Sequence, residues 1–316
     1  MNWLLHNPIA DMPGPSFLGF YGCVVVATLL WCWWRARKLD PTGEMPPMPL
    51  PAEPDPLEVA YLKGGANETT RVTVFDLIQR GYLEIHEPSR ALGLFKREKQ
   101  IRRAAKALDP RLLSPVERTV YAGFSTPQTA AEVFRSSGLP GCVEAVCQKY
   151  QEGLQAENLL FPEEQRNKVY LLSGRGALVM LGLAGYKLFV ALEKGRHNVA
   201  FLIIMAVLSC LLLAVVCRPP RQSKRGRDYL ARLESVFERL KAQAYWTTGP
   251  QADALLLMSV ALFGMSALEN TLYADVGNLF RGGNVMGGGG CGGGGCGGGG
   301  CGGGGCGGGG CGGCGG

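Results

Sequence analysis

The chain has 316 residues, a formal net charge of +6, 47 glycines and 12 cysteines. That length leaves room for one or two domains, but two apolar stretches and the last thirty residues cannot join a soluble core. From Arg35 to Arg175 there are 20 Lys/Arg against 18 Asp/Glu, so the positive excess lies elsewhere. It sits just after the apolar stretches, at Arg35, Arg37, Lys38, Arg218, Arg221, Lys224, Arg225 and Arg227. Charge placed there reads as membrane orientation before it reads as affinity for DNA. The spacing of the cysteines excludes a small secreted disulfide scaffold.

Residues 17–34 carry no charge and are long enough to span a bilayer, with Trp31, Trp33 and Trp34 at the end as an interfacial belt. Three cations follow at once and none precedes, the reverse of a cleaved signal peptide. The segment is expected to be an uncleaved anchor with its N-terminus outside and residue 35 onward in the cytoplasm. Residues 35–56 form a linker, with six prolines between Met45 and Pro56.

Residues 57–175 repeat one plan twice. Asp55-Pro56 supplies an N-cap and a proline for a helix to about Leu62, which Gly64-Gly65 breaks. Asn67 is expected to cap a second helix with Val74, Leu77 and Ile78 on one face, ended by Gly81. Tyr82–His86 alternates as a strand, with Leu92–Phe95 as its candidate hairpin partner. Ser114-Pro115-Val116-Glu117 then reads as a capping box. A further helix is expected from Thr126-Pro127 and another from Cys142 to Leu154. Leu159–Phe161 and Val169–Leu172 suggest a closing hairpin. Helices followed by a short hairpin, twice, is a tandem winged-helix-like plan.

Residues 176–217 read as a transmembrane hairpin, Gly176–Leu192 and Val199–Cys217, because the basic run from Arg218 places its end inside. Lys187 is the one charge in the way, and its stem is expected to snorkel to the outer interface. Residues 218–286 are expected to hold amphipathic and apolar helices. The apolar run Ala254–Leu268 is fifteen residues, below spanning length, and is expected to be a buried or surface-lying helix.

Residues 287–316 contain only glycine and six cysteines: Cys291, Cys296, Cys301, Cys306, Cys311 and Cys314. Such a composition cannot bury a core and predicts a disordered tail. Glycine lets thiolates converge from almost any spacing, at an entropic cost per ordered residue. Soft thiolate ligands suit Cu(I), Zn or an iron–sulfur cluster, and Cys311–Cys314 has the spacing of a familiar half-site. The fold class is therefore a mainly α membrane protein with about three transmembrane helices, a small α+β winged-helix-like cytoplasmic region and a disordered Gly/Cys tail.

Leu57–Gly65 and Val74–Ile85 resemble an uncharacterised bacterial membrane-protein family. It combines winged-helix-like cytoplasmic units with a close membrane hairpin and a Gly- or Gly/Cys-rich tail. Gly195–Leu202, Arg218-Pro219-Pro220-Arg221 and Val260–Gly264 are similar to it too. The resemblance implies an architecture and a bacterial source, which with the apolar segments gives the expectation of a bacterial inner-membrane protein, and it brings no catalytic residues. His197-Asn198 stands where the family pattern would place a proline after Gly195-Arg196.

No catalytic motif emerges: neither a phosphate-binding loop nor His-Glu-x-x-His occurs, and His86 is expected to be a solvated strand residue. Cys142 and Cys147 are five apart, off a common helical face, and are expected to be packing residues. Arg90–Arg111 carries eight basic and two acidic residues, a cluster suited to lipid headgroups; DNA is the least favoured partner. The expectation is a non-enzymatic membrane protein whose polythiol tail binds soft metal. One alternative is a membrane-anchored substrate whose tail cysteines a partner enzyme modifies. The other is a membrane-bound interaction scaffold with an inert tail, docking an unidentified protein.

Overall fold

The computed structural model describes residues 12–86, 99–105, 109–134, 138–193, 200–244, 250–269 and 271–282. The chain is mainly helical with one small three-stranded sheet. Among the described residues most buried side chains fall into two clusters, one formed by the apolar helices and one by residues 57–160 together with 229–280.

The first cluster joins α1 (Gly14–Lys38), α8 (Glu163–Glu193) and α9 (Ala200–Val216). Among the described residues two helices, α1 and α8, are long and apolar enough to cross a membrane, while α9 is strongly apolar but only 17 residues. Phe17, Tyr21, Met180, Ala184, Leu202 and Leu213 face inward, while Leu178, Ile204 and Val215 face out. The inside also holds polar groups that need partners in an apolar bundle. The Tyr21 hydroxyl lies 3.2 Å from Ser209 Oγ and donates to Met180 O at 3.4 Å. The Lys187 stem runs toward the N-terminal end of α1. It is buried in the bundle, its ammonium 4.8 Å from the Phe17 ring and donating to Met12 O at 3.1 Å. Residues 194–199, the expected hairpin turn with His197 and Asn198, lie outside the described residues.

The second cluster begins with α2 (Pro56–Gly64), whose first turn is capped by Asp55 Oδ1 accepting from Leu57 N at 2.8 Å. Gly65 at φ +68° turns the chain into α3 (Ala66–Gln79), so Asn67 lies inside the helix and is not its cap. Gly81, at φ +79°, ends the unit and releases β1 (Leu83–His86). β1 pairs antiparallel with β2 (Gln100–Arg103), placing Leu83 opposite Arg103 and Ile85 opposite Ile101. The expected partner Leu92–Phe95 lies outside the described residues.

α4 (Pro115–Gly123) carries the expected capping box, with Ser114 N donating to Glu117 Oε2 at 2.8 Å. The helix expected at Thr126-Pro127 starts later. Gln128–Thr129 is β3, which adds to β2, and Thr129 caps the short α5 (Ala130–Val133). One sheet therefore takes strands from both sequence units. The helix expected over Cys142–Leu154 is two, α6 (Leu139–Val146) and α7 (Gln148–Ala156), broken at Cys147.

The expected closing hairpin does not form. Val169 and Leu172 are buried one turn apart on α8, which opens on Glu163 and Glu164 just after Pro162. Carboxylates in a first turn favour helix initiation, and the apolar pattern then continues in helical phase into the bundle. Leu160 bridges Gln222 instead. After the bundle, α10 (Lys224–Ala244), α11 (Pro250–Phe263), a 3-10 turn (Gly264–Leu268) and α12 (Ala274–Gly282) return to the second cluster. Met258, Val260, Ala261, Leu262 and Leu268 are buried there. The apolar run Ala254–Leu268 is thus core, packed on α2 and α3.

Candidate functional site

Three stretches leave the helical bundle for the second cluster, and polar residues tie them into a collar. Asp40 follows α1 and organises its own turn, accepting from Thr42 N at 3.0 Å and Thr42 Oγ1 at 2.6 Å. Its other oxygen accepts from Lys224 N at 2.7 Å, and Thr42 Oγ1 accepts from Arg225 N at 3.3 Å. The first N–H groups of α10, which no intrahelical carbonyl can satisfy, are therefore capped by the exit of α1. Ser223 serves the same helix end by accepting from Gly226 N at 3.0 Å while donating to Asn158 O at 2.7 Å.

The approach to α8 enters the same collar. Phe161 N donates to Arg221 O at 2.9 Å and Ser223 N to Leu159 O at 3.0 Å. Gly226 sits so close that a Cβ there would stand 2.2 Å from Leu159 O. Gln222 Nε2 reaches Leu62 O and Lys63 O at 3.3 and 3.1 Å, serving carbonyls at the C-terminal end of α2.

Arg221 lies in the notch left by Gly65, its guanidinium 4.7 Å from the centre of the Tyr61 ring. The buried Tyr61 hydroxyl stands 2.8 Å from Glu144 Oε1 and 3.1 Å from Gln151 Oε1. Burial, with the Glu144 hydrogen bond second, pushes that hydroxyl up to about 12. Cys147 sits beside this group; burial and Glu144 push its thiol up to about 11, against the pull of Arg221. A thiol held protonated at neutral pH is a packing group, because the thiolate is the nucleophile. Cys142 is exposed and lines a shallow cleft of about 440 Å³ with Thr126, Gln128 and Glu132. His86 is half-buried in β1 opposite Gln100.

A second cleft, of about 370 Å³, runs beneath the Met48–Pro54 strap. Arg232 holds the strap by donating to Met48 O at 2.5 Å. Glu53, Asp55, Glu58 and Glu157 line the cleft with Tyr229. Burial, then the charges of Glu157 and Asp55, raises the Glu58 carboxyl above its ordinary value, and burial pushes Tyr229 up to about 12.

Among the described residues no group of three or more His, Cys, Asp and Glu is arranged to hold a metal. Cys291, Cys296, Cys301, Cys306, Cys311 and Cys314, the candidate metal ligands, lie outside the described residues. Sequence alone does not reveal the collar, because Arg218–Arg227 reads only as orienting charge. The one available signal was Asp40-Pro41-Thr42, an Asx-type turn just past an apolar helix. No family model, curated protein or solved structure matches this chain.

Proposed function

We propose that the chain is a non-enzymatic, multi-pass protein of a bacterial inner membrane whose C-terminal polythiol arm binds soft metal ions on the cytoplasmic side. In this reading α1, α8 and α9 are three spans with the N-terminus outside. The second cluster is then a cytoplasmic body, winged-helix-like in its sheet and flanking helices, that docks a partner or organises the membrane face. The observation that carries the metal reading is the recurrence of Cys291, Cys296, Cys301, Cys306 and Cys311 at five-residue steps, closed by Cys314. Thiolates are strong ligands for Cu(I) and Zn, and binding them releases protons, which couples affinity to pH. The packing of α11 and α12 into the body supports a tail that departs on the body's side of the membrane.

No Lys or Arg follows Arg281, so trypsin releases Gly282–Gly316 in one piece. Weighed denatured and then natively from protein made in its own host, that peptide should show six unmodified thiols and retained metal. A heavier denatured mass would make the tail the substrate of a modifying enzyme. A mass restored by reduction would show disulfides, and an unmodified, metal-free peptide would leave a scaffold with an inert tail.

A further inference from the structure

The strap over the second cleft is pinned at both ends. Arg232 holds its start at Met48 O, and Tyr150 holds its far end by donating to Asp55 Oδ2 at 3.1 Å. Pro49, Pro51 and Pro54 restrict the backbone between them, so the cleft of about 370 Å³ is preorganised. Buried Val59, Leu62, Leu154 and Leu159 line it. A largely apolar hollow of this size with a few polar groups is the usual form of a small-molecule site.

Those polar groups are an incomplete set. Glu53, Glu58 and Glu157 line the cleft, and among the described residues none of their carboxylates accepts a hydrogen bond or joins a salt bridge. Arg232 spends its Nη2 on the strap carbonyl, and Arg225 reaches Glu157 only at its backbone O, at 3.0 Å. Tyr229 is an independent sign. It is 6% exposed, yet its hydroxyl makes no hydrogen bond among the described residues and stays open to the cleft. A buried phenol ordinarily has a partner, and the cleft is where one can reach this hydroxyl. The carboxylates do not converge on one point, since among the described residues no three acidic groups are arranged to hold a metal ion. Separated negative charges beside an apolar wall suit an extended organic cation, with ammonium groups spaced along a hydrocarbon chain.

We propose that this cleft binds a linear aliphatic polyamine. Its ammonium groups donate to Glu58, Glu157 and Glu53, the Tyr229 oxygen accepts one further N–H, and its methylenes lie against Val59, Leu62 and Leu154. Asp55 is already committed to Leu57 N and Tyr150, so it adds charge without serving as a ligand. The neighbouring carboxylates that help raise Glu58 are the repulsion a bound cation offsets. The cleft is built without the tail, so the proposal does not rest on the metal reading.

The test is isothermal titration of spermidine into the full-length protein in a neutral detergent, where saturable binding at a single site is expected. Glu58→Gln should weaken it about ten- to a hundredfold, and Tyr229→Phe about two- to tenfold. Tyr229→Phe removes a hydroxyl that no described residue uses, so its melting midpoint should stay at or above that of the wild type. Loss of the site is thereby separated from loss of the fold. Glu152→Gln changes an exposed carboxylate outside the cleft and should leave binding unchanged. Unsaturable binding, unchanged affinity in either Glu58→Gln or Tyr229→Phe, or equal weakening by Glu152→Gln would overturn the proposal. So would saturation by a lysine-rich peptide where spermidine fails, which would give the cleft to a protein partner.

Discussion

Asp40 caps a helix that starts 184 residues later: its Oδ2 accepts from Lys224 N at 2.7 Å. The same carboxylate holds Thr42, so one side chain fixes both the way α1 leaves the bundle and the place where α10 begins. Asp40→Ala should cost about 1 kcal/mol, the usual value of a helix N-cap, and Asp40→Asn should recover most of it. Hydrogen exchange of the amides at 224–227 reads the effect directly. Unchanged protection in Asp40→Ala would mean that the helix end is held by Ser223 alone.

Two glycines should respond to alanine with opposite signs. Gly226 has Leu159 O where its Cβ would go, and a backbone atom cannot step aside. Gly226→Ala should therefore destabilise by about 1–3 kcal/mol, the cost of overpacking. Gly153 lies within α7 with nothing near its missing Cβ. Gly153→Ala should stabilise by about 0.5–1 kcal/mol through helix propensity and unfolded-state entropy. Denaturant midpoints in detergent compare the two, and equal shifts would contradict the close approach of α10 to Leu159.

The apolar run Ala254–Leu268 separates a core helix from a span. Leu262 is fully buried among residues of the second cluster, whereas Leu178 on α8 is 74% exposed to its surroundings. Leu262→Ala should cost about 2–5 kcal/mol, transfer plus cavity. Leu178→Ala should have a small effect on the unfolding of that cluster, since it touches neither core. A small effect at Leu262 would favour a lipid-facing helix.

Glu58 makes stability depend on pH with a defined sign. Its carboxyl is raised above the ordinary 4.5, chiefly by burial and then by Glu157 and Asp55. Between 4.5 and the raised value the folded protein binds more protons than the unfolded chain, so this group's stability contribution falls as pH rises. Glu58→Gln should flatten that fall, gaining on the wild type as pH climbs through the window and holding a constant difference above it. Stability curves of the two proteins that diverge in the opposite sense would rule out burial as the dominant influence.

The sequence displayed what depends on neighbours along the chain. The α1 apolar run, the Asp55 cap with Pro56 and the Ser114–Glu117 box are all local, and each appears where its residues point. The misreadings share one cause. Val169–Leu172 has four residues that suit a strand or a buried helix equally, and only its continuity with the rest of α8 decides. β3 is two residues long and gains its identity from pairing with β2, and the collar is made of polar contacts between segments up to 184 residues apart. Hydropathy reports burial, not partners. The tail cysteines remain a statement about composition, because thiol spacing in glycine imposes no geometry.

Arg221 and Gly65 can be tested as a pair. Gly65 has φ +68°, and a Cβ there would meet the Arg221 guanidinium at 2.5 Å. Gly65→Ala thus carries two penalties, backbone strain of about 1–2 kcal/mol and displacement of Arg221 from the Tyr61 ring. Arg221→Ala removes the second penalty in advance but gives up the stacking, worth about 0.5–2 kcal/mol. The double variant should therefore be more stable than the sum of the single losses predicts, by about 0.5–3 kcal/mol for residues in contact. Arg221→Lys should behave closer to alanine than to arginine, because an ammonium lacks the planar face that lies on the ring. Strict additivity in the cycle would mean that Arg221 is held by Phe161 through its backbone alone, and that its side chain is free to leave the notch.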